Sequence, residues 1–159
     1  MFNGNISNQN AEGITFEVFD VLTPKREFSK IEWFVFAKAL YRPFLMRQII
    51  KLFYLHPLMK SILSELSKNH NLYFILMGKN IEGVITDYFD ELGIVFSKIK
   101  ACETRYDLDW FMEFYQIKYY FNNAGKDIFD RVIPGIMSLK ELKLGDENKR
   151  KQYGKQVKL

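Results

Sequence analysis

Leu72-Tyr73-Phe74-Ile75-Leu76-Met77 is an unbroken run of six apolar residues, preceded by Asn69-His70-Asn71 and closed by Gly78. A strand with one wet face alternates polar and apolar positions. A continuous run of this length is what a strand buried on both faces requires, as in a parallel sheet covered by helices. The flanks agree. Upstream, Leu58, Ile62, Leu63 and Leu66 recur at helical spacing over 57–69, with Pro57 suited to a first turn and His56 at the helix boundary. Downstream, a helix over 81–92 is stopped by Gly93 as a C-terminal cap.

Further out the same alternation continues. Ile14-Thr15-Phe16-Glu17-Val18-Phe19 reads as a second buried strand, stopped by Asp20 and Thr23-Pro24. Ser29 is placed to cap a helix over 30–41, and Pro43 to open another over 43–55. Beyond the central run come a strand near 98–102, a helix near 108–115 and a strand near 118–121. The loop Asn122-Asn123-Ala124-Gly125 leads to a short helix over 127–132, a short strand over 134–137 and a helical turn over 139–144. Strands alternating with helices predict a three-layer, Rossmann-type α/β domain with a mostly parallel sheet and right-handed crossovers. The expected organisation is a flexible N-terminus over 1–12, one domain over 13–144 with a small helical insertion at about 25–60, and a flexible basic tail over 145–159.

The totals narrow the class. In 159 residues, 48% apolar and 16% aromatic, there is ample material for one core. A single cysteine, Cys102, excludes an intrachain disulfide and a cysteine-based zinc site; at the end of a predicted strand it reads as core. With only His56 and His70 available, any metal would rest on carboxylates, which favours magnesium. His70 itself, in an Asn-flanked turn, is expected to face solvent. The net charge of +4 comes from Lys143–Leu159, where six basic residues meet two acidic ones; the preceding 142 residues carry 17 of each sign. A solvated tail on a neutral body is not the footprint of a nucleic-acid-binding protein. Neither a secretory leader nor a spanning segment is visible, so the expected location is cytoplasmic.

In a sheet of this kind, ligands bind beyond the carboxyl ends of the strands. Three segments there resemble the motifs of the haloacid dehalogenase-like (HAD) hydrolases. Phe16-Glu17-Val18-Phe19-Asp20-Val21-Leu22-Thr23 resembles the first motif, Leu76-Met77-Gly78-Lys79 falls where the second belongs, and Tyr120-Phe121-Asn122-Asn123-Ala124-Gly125-Lys126-Asp127 resembles the fourth. Their order and spacing match the family over about residues 14–140. The resemblance implies a nucleophile at Glu17, a general acid/base at Phe19, a phosphate-binding position at Met77, Gly78 and Lys79, and magnesium ligands at Asn122, Asn123 and Asp127. It also implies a cation opening the helix before Lys118; Asp107 or Leu108 occupies that turn and Arg105 is the nearest basic residue.

The residues at these positions depart from the family. Glu17 replaces an Asp, and its extra methylene displaces the carboxylate by more than about 1 Å, enough to cost ~100-fold in a positioned reaction. Phe19 cannot transfer a proton, though dehalogenase-type members carry an aromatic there. Met77 offers no donor, and Asn122 and Asn123 are neutral, leaving Asp127 as the one acid of its loop. Asp20 could stand in for a shifted acid or simply form a turn. Phosphoryl transfer rests on positioning and metal electrostatics, so the expectation is a catalytically degenerate member without a cofactor, acting by binding a protein partner or a phosphorylated ligand. The alternative is a slow or unconventional magnesium-dependent phosphatase using Glu17, Asp20 and Asp127. The aromatic segment Trp33–Tyr54 falls where the family places a cap. With Arg42, Arg47 and Lys51 it reads first as packing, and second as a partner groove or membrane-surface helix.

Overall fold

The computed structural model describes residues 11–122 and the strand Val157–Lys158, with residues 118, 121, 122, 157 and 158 described by their backbone alone. The elements in order are β1 (Glu12–Glu17), α1 (Val18–Val21), β2 (Leu22–Pro24), α2 (Lys30–Ala39), α3 (Pro43–Ile49), a 3-10 turn (Ile50–Leu52) and β3 (Phe53–Leu55). They are followed by α4 (Pro57–Ser67), β4 (His70–Met77), α5 (Glu82–Glu91), β5 (Lys98–Cys102), α6 (Arg105–Phe114), β6 (Ile117–Asn122) and β7 (Val157–Lys158). The expected helix over 127–132, strand over 134–137 and turn over 139–144 lie outside the described residues, as do the first ten residues.

The main sheet has the order β5-β4-β1-β6-β7, and every adjacent pair is parallel. The central run is the strand β4, and it lies against β1 as its burial on both faces demands. Alternate residues of β1, β4 and β5 feed opposite faces, and the irregularity in the β1–β6 register lets Ile117 and Tyr120 of β6 share one face. Ile14, Phe16, Leu72, Phe74 and Leu76 join Met59, Leu63 and Leu66 of α4 and Val84, Ile85 and Phe89 of α5 in the larger core. Tyr73, Ile75, Cys102, Ile117 and Tyr120 pack against Leu108, Phe111 and Met112 of α6 in the smaller one. Helices therefore cover both faces, giving the three layers of a parallel α/β domain.

Several boundaries differ from the sequence reading, each for a physical reason. The first strand ends at Glu17, because Val18–Val21 winds into one turn of helix before β2 begins. The expected helix over 43–55 stops at Ile49; after the 3-10 turn, Phe53–Leu55 becomes β3 and pairs antiparallel with β2. Those apolar residues suit either state, and pairing with a strand 30 residues upstream decides it. The pairing encloses residues 25–52, and Tyr88 of α5 donates to the Phe53 carbonyl at 2.6 Å to fix this ribbon to the core. His70 is buried as the first residue of β4, not exposed in a turn, with Nδ1 3.2 Å from the Leu66 carbonyl oxygen. The helix expected at 108–115 starts at Arg105. Thr104 and Asp107 form a capping box there, in which Asp107 Oδ2 accepts from the Thr104 N–H at 3.0 Å.

Other signals were sufficient as read. Ser29 caps α2 through a capping box with Glu32, and Gly93 ends the turn after α5 at φ 73°. Cys102 is fully buried, and burial pushes its thiol up to about 11.

Candidate functional site

The parallel register sets the geometry of the carboxyl edge. Glu17 stands level with Ile75 of β4, Phe16 is level with Phe121 of β6, and Met77 is level with Cys102 of β5. The ends of β1, β4 and β6 are thus neighbours, with β1 in the middle. Glu17, Met77 and the backbone of Asn122 all lie at this edge. Asn123 and Asp127 fall outside the described residues.

Glu17 closes β1 on the α6 side of the sheet and is half-buried. Its Oε1 accepts a hydrogen bond from the Tyr120 phenol at 2.7 Å. Burial, then this bond, then the carboxylate's charge push the Tyr120 phenol well above the ordinary tyrosine range; nearby Arg105 opposes the shift and Asp20 adds to it. Tyr120 therefore stays a donor at neutral pH, and Glu17, Asp20 and Arg105 lie within its electrostatic reach. Asp20 is buried in α1. Tyr120 was read only as an apolar strand residue. The signal that could have found it is the sheet period: in β6, Tyr120 lies level with Thr15, two residues from Glu17 and on the same face.

Phe19 turns the other way. Its ring sits 4.8 Å from Phe36 and 4.9 Å from Phe53, wedged between α2 and β3. Phe19, expected at an acid/base position, instead anchors the enclosed segment.

The turn after β4 is occupied by backbone. Gly78 N–H donates to the Cys102 carbonyl at 2.9 Å, and Lys79 N–H donates to the Leu40 carbonyl at 2.9 Å. A β-carbon at Gly78 would lie 2.5 Å from the Leu40 oxygen, so only glycine allows the end of α2 to approach this closely. Asn80 follows in the left-handed region at φ 57°, where asparagine is among the tolerated residues. Met77 is 41% exposed and brings no polar atom. Beside this turn lies a polar depression of about 230 Å³, lined by Lys79, Lys100, Glu82, Glu103 and Asp107 among others. Its charges offset one another: Lys79 faces Glu103 at 3.6 Å, Lys100 faces Glu82 at 3.8 Å, and Asp107 is held below the usual carboxylate range chiefly by the Thr104 N–H.

Arg105 is the first residue of α6, so a cation does open the helix before β6; it pairs with Asp109 at 3.2 Å on the exposed side. The described side chains suit a magnesium ion poorly. Glu17 Oε1 already accepts a hydrogen bond from the Tyr120 phenol, and a hard cation prefers about six oxygen ligands, several of them anionic. Among the described residues no group of three or more His, Cys, Asp or Glu side chains is placed to hold a metal.

Fold and edge together define a parallel α/β domain with a strand-end site where, among the described residues, Glu17, Gly78, Lys79 and Lys100 are engaged by the protein itself. No family model, no curated protein and no solved structure matches the chain.

Proposed function

We propose that the chain is a haloacid dehalogenase-like domain whose phosphoryl-transfer site has been given over to internal contacts. It acts by binding rather than by hydrolysis, and of the two expected ligands the edge favours a protein partner, because its carbonyl-lined turn opposes a phosphorylated one. The observation that carries this reading is the bond from Lys79 N–H to the Leu40 carbonyl. In a phosphate-handling edge, the amides following the second strand face the ligand; here the carbonyl at the end of α2 takes one and Cys102 takes the other. A carbonyl is the electrostatic opposite of a phosphate-binding donor, so this turn repels the group it would have to hold.

Three further observations support the assignment. β1, β4 and β6 are adjacent and parallel in the arrangement the three motifs require. The enclosed segment lies between the first and second motifs, where the family places its cap. Arg105 opens the helix that precedes the fourth-motif strand. Against catalysis stand Phe19, committed to an aromatic cluster, and Glu17, committed to Tyr120.

The test is hydrolysis of a generic aryl phosphate by the purified protein in millimolar magnesium. The expected rate is background. A clear rate that vanishes in Glu17→Gln would overturn the reading in favour of a working phosphatase.

A further inference from the structure

Helix α2 is anomalous for a surface helix. Its sequence Lys-Ile-Glu-Trp-Phe-Val-Phe-Ala-Lys-Ala is apolar on nearly every side, yet Ala39 is its one fully buried residue. Ile31, Phe34, Val35 and Lys38 share a face by their spacing of three and four, and Ile31 and Phe34 are 77% and 62% exposed. Phe44, opening α3, is 74% exposed, and Tyr41 between the two helices is exposed as well. A helix that is apolar all round is normally covered.

The charge around this face identifies what covers it. Residues 25–52 hold seven basic and two acidic residues, whereas residues 1–24 and 53–142 together hold ten basic and fifteen acidic. Of the two acids, Glu32 is bound by Arg26. Lys30, Lys38, Arg42, Arg47 and Lys51 are all exposed, and among the described residues none of them is in a salt bridge. Lys38 Nζ lies 5.3 Å from the centre of the Phe34 ring, so cation and apolar surface are intermixed. A second exposed aromatic stripe, Tyr106, Trp110 and Phe114 on α6, makes the contrast. It is interleaved with Asp109 and Glu113 and lies on the helix covering the opposite face of the sheet.

We infer that the α2–α3 face docks on an anionic lipid surface, with Phe34 and Phe44 entering the headgroup boundary and the surrounding lysines and arginines meeting lipid phosphates. Apolar side chains ringed by cations are what such a surface selects. No described helix is long and apolar enough to cross a membrane, so the contact is peripheral. The inference does not depend on the chemistry of the strand edge.

The experiment uses the full chain with vesicles of neutral phosphatidylcholine or of phosphatidylcholine with 30% anionic phosphatidylglycerol. The protein should float with the anionic vesicles, only weakly with neutral ones, and be released by salt. Neutralising Lys38, Arg42 and Arg47 to Gln should weaken binding by roughly fivefold per charge. Phe34→Ser and Phe44→Ser should each weaken it by about tenfold. Their melting temperatures should be unchanged, since both side chains face solvent. Orientation is read with one tryptophan at a time. In a Trp33→Phe, Trp110→Phe, Phe34→Trp protein, the indole should shift to the blue and be quenched by nitroxide-labelled acyl chains. In Trp33→Phe alone, Trp110 should do neither.

Three outcomes would overturn the inference. One is no flotation with anionic vesicles. Another is flotation without a response from the indole at position 34, which would assign binding to the basic tail. The third is a dimer in lipid-free solution that Phe34→Ser dissociates, which would mean that a second copy covers this face.

Discussion

The backbone N–H of Lys79 donates to the carbonyl of Leu40 at 2.9 Å, tying the end of α2 to the turn after β4. The bond joins the enclosed segment to the strand edge, and it exists because residue 78 has no side chain. Replacing Gly78 by Ala sets a β-carbon 2.5 Å from the Leu40 oxygen, a backbone atom that cannot rotate away. Gly78→Ala should therefore destabilise the fold by about 1–3 kcal/mol, the usual range for overpacking. Amide exchange at Lys79 should quicken more than at β1. Unchanged protection at Lys79 would mean that the contact does not hold the segment in place.

The Tyr120–Glu17 bond gives a second expectation. Tyr120→Phe removes the donor and leaves a half-buried carboxylate short of one partner, at a cost of about 1–2 kcal/mol. A double-mutant cycle with Glu17→Gln separates this bond from simple loss of the hydroxyl. The pH dependence has a definite sign. The folded phenol titrates above the ordinary value of 10.0, so the native state holds its proton more tightly than the unfolded chain does. This contribution is complete below pH 10 and declines as pH rises toward the folded value. Burial also raises Tyr73 and Tyr88, so ultraviolet titration should show a class of tyrosines that resists ionisation, and Tyr120→Phe should remove one member of it.

Two phenylalanines, Phe34 inside the enclosed segment and Phe53 on the strand that closes it, should behave oppositely. Phe53 is buried against Phe19, Phe28 and Phe36, and Phe53→Ala should cost about 3–5 kcal/mol. Phe34 faces solvent, and Phe34→Ala should change stability by no more than about 0.5 kcal/mol. Chemical denaturation of the two variants checks this directly.

That pair also shows where the sequence was legible and where it was not. The run Leu72–Met77, the cap at Ser29 and the stop at Gly93 depend on local chemistry, so reading outward from them gave the parallel α/β class and its adjacent strands. The strand β3 was hidden because Phe53-Tyr54-Leu55 has no period of its own; a partner at Leu22–Pro24, far along the chain, makes it a strand. His70 was misplaced because the polar residues around it suggested a turn, while tertiary packing extends β4 back over them. At the candidate site, the motif positions gave Glu17, Phe19 and Met77 but no information about what occupies them. Tyr120 and Leu40 come to the edge through sheet register and through the path of the enclosed segment, neither of which is encoded locally.

The capping box of α2 supplies a prediction at low pH. The Arg26 guanidinium, followed by the Ser29 N–H, holds the Glu32 carboxyl down to about 2 from an ordinary 4.5. A depressed carboxyl stabilises the folded state above its unfolded value and loses that contribution as pH falls through its folded value. The stabilisation should therefore be complete above about pH 4.5 and fade toward pH 2. Side-chain carboxyl chemical shifts of Glu32 followed between pH 5 and 2 report it, and an ordinary midpoint would mean that the Arg26 pair does not persist in solution.

The central claim, that the strand-end site is engaged internally and does not handle phosphate, is tested most directly by melting the protein with and without magnesium and beryllofluoride. Beryllofluoride mimics a phosphoryl group on a carboxylate, and a site occupied at 100 times its dissociation constant would add about 2.7 kcal/mol of stability. The account predicts a melting temperature that matches an ionic-strength control. A rise of several degrees that requires both magnesium and beryllofluoride, and disappears in Glu17→Gln, would contradict it.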